Sequence, residues 1–265
     1  MRYVNRRTFT ILAALGAGLL LAGCKQAVGP LDPEQELIDD ATIELLPTAP
    51  TETTVPGMQA LGLGTPRDGF LYVPANYNPA EPAPLLVLLH GAGGSGSNWD
   101  SEELRMLYDA FGLLVLAPDS RFQTWDMLSV GRYKNDVDFL QSALEKVFRI
   151  ANVDGTRLTI GGFSDGASEA LGIGLVNAHL FSRVIAFSPG QLIVPFRRGQ
   201  PEIYMTHGNL DDVVPFTNTR DFIVPVLRAN GHDVDFHTFE GGHEMPFDLR
   251  NNAIEWAAEL RTTGS

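Results

Sequence analysis

The feature that most restricts the fold of this 265-residue chain is a series of short apolar runs that no polar residue interrupts. Residues 85–89 (LLVLL) and 113–117 (LLVLA) are both bounded by Pro or Gly. Strands that are covered on both faces, as in a parallel sheet, have this composition. Further strands are predicted at residues 70–73, 157–161, 183–187, 203–206 and 234–239.

Between these runs, apolar residues recur at the spacing of a helix. The clearest pattern comprises Val137, Leu140, Leu144, Val147 and Phe148. Similar patterns occur within residues 222–227 and 253–260. Because strands and helices alternate, the predicted fold is α/β, with a mostly parallel central sheet flanked by helices. Functional side chains should follow the carboxyl ends of the strands, where such sheets bind ligands.

The net charge argues against one class of partner, and the cysteine content excludes disulfides and one class of metal site. The formal net charge is −13, with 19 Lys and Arg against 32 Asp and Glu. Nucleic-acid affinity comes mainly from Lys and Arg that neutralise phosphates, so this balance argues against a nucleic-acid partner. Cys24 is the only cysteine, which excludes an intrachain disulfide and a metal site built on several cysteines.

The first 23 residues are predicted to be a signal peptide. Three arginines precede an apolar run over residues 9–22, which is shorter than the ~20 residues that a spanning helix needs. Residues 21–24 (LAGC) resemble the lipobox of bacterial lipoproteins, in which the cysteine is acylated and becomes the new N-terminus. The resemblance implies an exported protein that is lipid-anchored to the bacterial cell envelope through Cys24. An ordinary secretory signal or an uncleaved anchor is the alternative.

Residues 5–9 (NRRTF) also resemble a twin-arginine export signal. Asn5 stands where Ser or Thr is more usual, so the general and the twin-arginine routes both stay open. Twin-arginine export would mean that the domain folds before it crosses the membrane.

Residues 24–56 are predicted to form a flexible tether, because five prolines are spaced among Thr and acidic residues there. A short helix within residues 33–46 is the one element expected in this segment. The alternation of strands and helices begins after it, so one domain is predicted over residues 57–265.

Ser164 is the predicted nucleophile. Residues 162–166 (GFSDG) match G-x-S-x-G and lie between a strand-like and a helix-like segment. A tight turn at such a junction projects the hydroxyl above the sheet, and the flanking glycines let strand and helix approach closely. The alternative is a Gly- and Ser-rich turn without chemistry.

A Gly-rich loop, residues 90–94 (HGAGG), directly follows the most apolar predicted strand. Attack on an ester carbonyl creates an oxyanion, which needs N–H donors already in place. Main-chain amides of this loop are candidates for that role. A phosphate-binding loop is the rival interpretation, but the Lys-Ser/Thr ending of a P-loop is missing.

Six histidines compete for the role of general base. His90 and His207 each end a strand before a glycine, where an imidazole more often braces a loop than transfers protons. His243 follows the last predicted strand and comes after Ser164 in the chain, so it is the predicted base.

The acid that orients the base should lie between the two in the chain. Residues 207–215 (HGNLDDVVP) follow a predicted strand and contain two adjacent candidates, Asp211 and Asp212. The alternative role for this pair is to cap the helix that follows.

Four motifs in this order, HGAGG, GFSDG, HGNLDDVVP and GGH, resemble those of small esterases of the α/β-hydrolase superfamily. The resemblance covers about residues 57–260 and is shared with phospholipase/carboxylesterase, dienelactone hydrolase and polyhydroxybutyrate-depolymerase-like groups. It implies an α/β-hydrolase fold, and residues 188–201 are too short to hold a large lid domain. It also implies a small-molecule or polymeric carboxylic ester as substrate.

The same resemblance implies roles for individual residues. Ser164, His243 and Asp211 would form a triad that works through an acyl-enzyme, and the amides of Ala92 and Asp165 would hold the oxyanion. No metal or organic cofactor is required. Asp165 departs from the pattern, since Gln, Met or Asn is more usual after the nucleophile.

Several residues near the predicted catalytic edge are candidates for substrate contacts. Trp125, with Phe122, Met127 and residues 192–196, could line an apolar pocket, and core packing is the alternative. A substrate carboxylate could meet the arginines at positions 121, 197 and 198, for which solvation is the alternative.

Two other functions stay open at the level of sequence. One is a peptidase of the same fold, although the chain lacks the propeller or cap that usually restricts access in such peptidases. The other is a non-catalytic surface lipoprotein that binds ligands.

Overall fold

The computed structural model describes residues 33–194 and 199–260. Within these residues one sheet contains eight strands, in the spatial order first, second, fourth, third, fifth, sixth, seventh and eighth. The first two pairs in this spatial order are antiparallel, and the remaining five pairs are parallel. In chain order the strands are β1 Gly57–Ala60, β2 Gly69–Val73, β3 Ala83–Leu89, β4 Leu114–Pro118, β5 Val153–Phe163, β6 Arg183–Phe187, β7 Glu202–Gly208 and β8 Val234–Phe239.

Helices cover both faces of this sheet. Alternate residues of β3 enter two separate cores: Leu85 and Val87 pack on one face, and Leu86 packs on the other. Helices α1, α4, α5 and α7 contribute to the first core, and α2 and α8 to the second. The helices are α1 Pro33–Ala41, α2 Glu102–Ala110, α3 Asp126–Ser129, α4 Lys134–Ile150, α5 Asp165–Val176, α6 Phe216–Asn218, α7 Val224–Ala229 and α8 Phe247–Ala258, with a 3₁₀ turn at Gly96–Trp99 and a π-helical turn at Thr219–Ile223.

The predicted α/β fold is confirmed. Strands β6 and β8 have the predicted bounds, and β5 extends beyond the predicted residues 157–161 at both ends. Strand β1 was not predicted, because its four residues alternate between half-buried and exposed positions and contain no apolar run. No helix of the described part of the chain is long and apolar enough to cross a membrane.

The segment from residue 33 onward packs against the domain, so the prediction of a flexible tether as far as residue 56 is wrong there. The short helix expected in this segment is α1. The side chains of Ala41 and Ile43 are fully buried. Asn177 at the end of α5 donates to the Ala41 carbonyl (2.8 Å) and accepts from the Ile43 amide (2.8 Å). The folded domain therefore begins near residue 33, while Cys24 and the signal region lie outside the described residues.

Candidate active site

Ser164 occupies a strained turn between β5 and α5. Its backbone has φ 57° and ψ −119°, a left-handed region that costs a non-glycine residue energy. The Ser164 amide donates to the carbonyl of Phe187 on the neighbouring strand (2.9 Å), which fixes the turn. A Cβ at Gly166 would overlap the carbonyl oxygen of Leu89, so the close approach of α5 to β3 requires glycine there.

The structure brings together the three residues predicted to form the triad. His243 Nε2 lies 2.8 Å from Ser164 Oγ, and His243 Nδ1 lies 2.7 Å from Asp211 Oδ2. Because a carboxylate only accepts hydrogen bonds, Nδ1 carries the imidazole proton and Nε2 is free to accept the serine proton. The three residues follow β5, β7 and β8 at the carboxyl end of the sheet.

Asp211, rather than Asp212, contacts the imidazole. Its side chain is fully buried, and Oδ1 accepts the amides of Val213 (3.0 Å) and Val214 (2.7 Å). Burial raises the pKa of Asp211, but the Val214 amide, His243 and the Val213 amide together outweigh it and lower the pKa below its ordinary value. Asp211 is therefore an ionised acceptor at neutral pH, whereas Asp212 is exposed to solvent.

The amides of Ala92 and Asp165 lie near Ser164, and neither has a backbone acceptor within residues 33–194 and 199–260. In the Gly-rich loop, the Gly93 amide donates to the Gln123 carbonyl (2.6 Å) and the Gly94 amide to the Gly91 carbonyl (3.0 Å). Asp165 is the first residue of α5, so no carbonyl of the helix can accept its N–H. The positive end of the helix dipole lies at the same point, which favours an anion there.

The Asp165 carboxylate is turned toward another loop. Its Oδ2 accepts the hydroxyl of Thr124 at 2.5 Å. This contact explains how an aspartate is accommodated after the nucleophile, because its charge is directed at a hydrogen-bond donor.

Trp125 supports the Gly-rich loop and packs in the core, which was the alternative to the predicted substrate contact. Its side chain is only 2% exposed, and its Nε1 donates to the His90 carbonyl (2.7 Å). Its ring lies 4.9 Å from the His90 imidazole. Burial lowers the pKa of His90, and its Nε2 accepts the Ser120 amide (3.0 Å). His90 is therefore a neutral imidazole that fixes the loop containing Ser120.

The other residues that were predicted to contact substrate differ in their environments. The Arg121 guanidinium lies 3.4 Å from the ring centroid of Phe139 and donates to Thr65 and to the Asp119 carbonyl, so it is not available to a substrate. Met127 packs against the core, as does Leu192. Phe122 is exposed. Phe196, Arg197 and Arg198 lie outside the described residues.

Two clefts lie near the turn that holds the nucleophile. The first has a volume of about 270 Å³ and includes the Gly-rich loop. The second, about 290 Å³, includes Gly190, whose amide donates to Ser168 Oγ (3.0 Å) one turn after Ser164. Residues lining the first cleft are His90, Gly91, Ala92, Gly94, Asn98, Trp99, Phe163 and Met245. Residues lining the second are Gly190, Gln191, Leu192, Ile193, Asn218 and Phe222.

Sequence reasoning missed a buried carboxyl group behind the nucleophile. Glu169 on α5 is 1% exposed, and neither carboxyl oxygen has a hydrogen-bond partner within the described ranges 33–194 and 199–260. Burial raises the pKa of Glu169 well above its ordinary value, and the carboxyls of Asp136 and Asp126 add to the rise. The folded protein therefore holds the proton of this carboxyl to higher pH than the unfolded chain does.

Glu169→Met is expected to stabilise the protein. A buried, unsatisfied polar group costs about 1–3 kcal/mol, so Tm should rise by roughly 3–10 °C. The folded state keeps a proton that the unfolded chain releases above the ordinary pKa of 4.5, so stability falls as pH rises and the gain should be larger at pH 8 than at pH 5.

Thermal unfolding of Glu169→Met at both pH values checks this expectation. Glu145→Met on the exposed face of α4 is the matched control and should change stability by less than about 0.5 kcal/mol. A lower Tm for Glu169→Met at pH 8 would show that the carboxyl stabilises the fold.

Comparisons with known proteins agree with this geometry. The family model of phospholipases and carboxylesterases matches residues 128–255. The chain is 25% identical to acyl-protein thioesterase 1 of Yarrowia lipolytica over 221 residues, covering 70% of this chain and 96% of that protein. It is 26% identical to the putative esterase NocK of Nocardia uniformis over 234 residues, covering 80% and 66%.

Solved structures show the same fold. An S-formylglutathione hydrolase from Staphylococcus aureus superposes with a TM-score of 0.62 at 16% identity, covering 77% of this chain and 99% of that one. The family match, the sequence relatives and the fold agree with one another. The chain thus has the α/β-hydrolase fold and is similar in sequence to carboxylesterases and acyl-protein thioesterases, consistent with hydrolysis of carboxylic esters.

Proposed function

We propose that the protein is an exported, lipid-anchored hydrolase of short acyl esters and thioesters, with Ser164, His243 and Asp211 as its triad. The observation that carries this proposal is the series of hydrogen bonds from Ser164 Oγ through His243 to Asp211 at the carboxyl end of the sheet.

In the first half of the reaction His243 Nε2 removes the hydroxyl proton as Ser164 Oγ attacks the carbonyl carbon. The tetrahedral intermediate collapses when the bond to the alcohol or thiol breaks, and the imidazolium returns its proton to that leaving group. Water then attacks the acyl-enzyme with His243 again as base, which releases the acid and restores the serine. Asp211 fixes the imidazole tautomer and stabilises the imidazolium in both halves.

The oxyanion is assigned to the amides of Ala92 and Asp165. Gly91 brings the loop against the nucleophile, since a Cβ added at Gly91 would lie 3.4 Å from Ser164 Cβ. Two such donors act where charge develops, and loss of one typically costs about 2.7–4 kcal/mol of transition-state stabilisation.

The size of the first cleft supports a short acyl group. Trp99, which is 1% exposed, lines this cleft together with Met245 and Phe163. The leaving group would lie on the other side, where apolar residues on the loops and helices after β4, β7 and β8 are each more than half exposed. These are Phe122, Leu210, Val213, Phe222 and Phe247.

A panel of ester and thioester substrates of increasing acyl length tests the proposed specificity. We expect kcat/KM to fall by at least about tenfold between butanoyl and dodecanoyl groups, since a cleft of about 270 Å³ is too small to enclose the longer chain. Met245→Ala should shift the preference toward longer acyl chains. Leu192→Ala in the second cleft is the control and should leave acyl preference unchanged; equal rates across the panel would contradict the assignment.

Cys24 carries the lipid anchor in this proposal. The domain begins at residue 33, so the intervening chain can separate it from the membrane by at most about 30 Å. Each buried CH₂ contributes about 0.8 kcal/mol, and several chains together hold a protein firmly.

Fractionation of a bacterial host tests the location. Wild type is expected in the membrane fraction, and Cys24→Ser should leave that fraction with its kcat unchanged, since the residue lies outside the catalytic machinery. Recovery of both proteins in the same fraction would reject the lipid anchor while leaving the esterase assignment intact.

A further inference from the structure

A second imidazole contacts the acid of the triad. His207, at the end of β7, is fully buried, and its Nε2 lies 3.2 Å from Asp211 Oδ2. This is the same oxygen that accepts from His243 at 2.7 Å. The His207 Nε2 also lies 3.0 Å from the Val214 carbonyl oxygen. Nothing in the mechanism described above uses this side chain.

The neighbours of His207 determine its proton. Both atoms beside Nε2, the carboxylate of Asp211 and the carbonyl of Val214, are acceptors only, so Nε2 carries a hydrogen. On the other side Nδ1 lies 2.8 Å from the hydroxyl oxygen of Thr219. The single hydrogen of that hydroxyl has two acceptors in reach, Nδ1 and the Pro189 carbonyl oxygen at 3.1 Å. Burial lowers the pKa of His207, although Val214 and Asp211 act in the opposite direction. Because both neighbours of Nε2 are acceptors, the proton of the neutral ring is assigned to Nε2.

The titratable groups next to His207 belong to the triad. The titratable groups that act on it are Asp211 and His243. The other neighbours are the Thr219 hydroxyl, the Val214 carbonyl and the ring of Phe216 at 5.7 Å, none of which titrates.

We propose that His207 is a positioning residue of the triad: it shares its Nε2–H between the Val214 carbonyl oxygen and Asp211 Oδ2 and so holds the carboxylate against His243. This inference rests on the proposed function, because it concerns the same triad. The amides of Val213 and Val214 fix only Oδ1, so His207 supplies the second fixed donor to the oxygen that faces His243.

The donated hydrogen bond has an electrostatic consequence. It offsets part of the negative charge on Oδ2 that would otherwise stabilise the imidazolium of His243. Without it, His243 should retain its proton to higher pH. The carboxylate should also be less well oriented, which lowers kcat.

Two substitutions separate this role from simple packing. The terminal amide of glutamine reaches the position of Nε2, so His207→Gln keeps a donor toward Asp211 and Val214. The shorter asparagine reaches only the position of Nδ1, so His207→Asn keeps the contact with Thr219 and loses the donor to Asp211. Both remove the ring, so a purely structural role predicts similar losses.

The experiment measures kcat/KM against pH for a short acyl ester, together with thermal unfolding of each variant. For His207→Asn we expect kcat to fall by about tenfold and the acid limb to move up by about half a pH unit or more. His207→Gln should recover to within about threefold of wild type with an unshifted limb. Equal losses in both variants with an unshifted limb would overturn the proposal.

An NMR titration of the His243 ring gives the same answer without substrate. Its midpoint should move to higher pH in His207→Asn and not in His207→Gln, and equal midpoints would overturn the proposal. A wild-type protein that hydrolyses no ester would overturn the proposed function instead, and the titration would still decide the role of His207.

Discussion

Replacing Ser164 by alanine is expected to lower kcat/KM for a short acyl ester by at least about 10⁴-fold. The hydroxyl is the atom that His243 Nε2 contacts at 2.8 Å, and no other hydroxyl is hydrogen-bonded to that nitrogen in the described part of the chain. The remaining rate would come from the amides that hold the oxyanion and from binding. Initial rates with wild type and variant at equal concentration measure the effect.

Ser142→Ala, on an exposed position of α4, is the matched control for this change. It should leave kcat/KM unchanged, and both variants should unfold within a few degrees of wild type. A Ser164→Ala enzyme that keeps more than a tenth of the wild-type rate would require a different nucleophile.

The second large effect is expected from Asp211→Asn, which should lower kcat by about 10⁴-fold. Asparagine is nearly isosteric, but its amide group can place N–H donors toward His243 Nδ1 and favour the wrong tautomer. Asp212→Asn is the neighbouring control. Its carboxylate is exposed, so solvent screens its charge and kcat should change by less than about threefold.

Steady-state rates for the two asparagine variants, with circular dichroism to verify folding, decide between the adjacent acids. A larger loss for Asp212→Asn than for Asp211→Asn would contradict the assigned triad.

The parts of the fold that could be predicted from sequence are those set by local pattern. The uninterrupted apolar residues of β3 and β4 identify buried parallel strands, and G-x-S-x-G places Ser164 at a strand–helix junction. In contrast, Asp211 and Asp212 have the same chemistry, and only burial and the amides of Val213 and Val214 distinguish them.

Residues that could not be predicted depend on contacts between distant parts of the chain. Trp125 was expected in a substrate pocket, but its indole binds the carbonyl of His90, 35 residues earlier. The segment after residue 33 was expected to be a tether, but Ile43 binds Asn177, 134 residues later. His207 was interpreted as a loop brace, and its contact with Asp211 required the path of the turn after β7.

Covalent labelling with a fluorophosphonate tests the central claim most directly, because the reagent reacts with an activated serine as fluoride leaves. Intact-mass and peptide analysis of wild type should show one adduct, on the peptide that contains Ser164, with loss of esterase activity in step with labelling. Protein that stays unlabelled, or that carries the adduct on another residue while Ser164 remains free, would contradict the account.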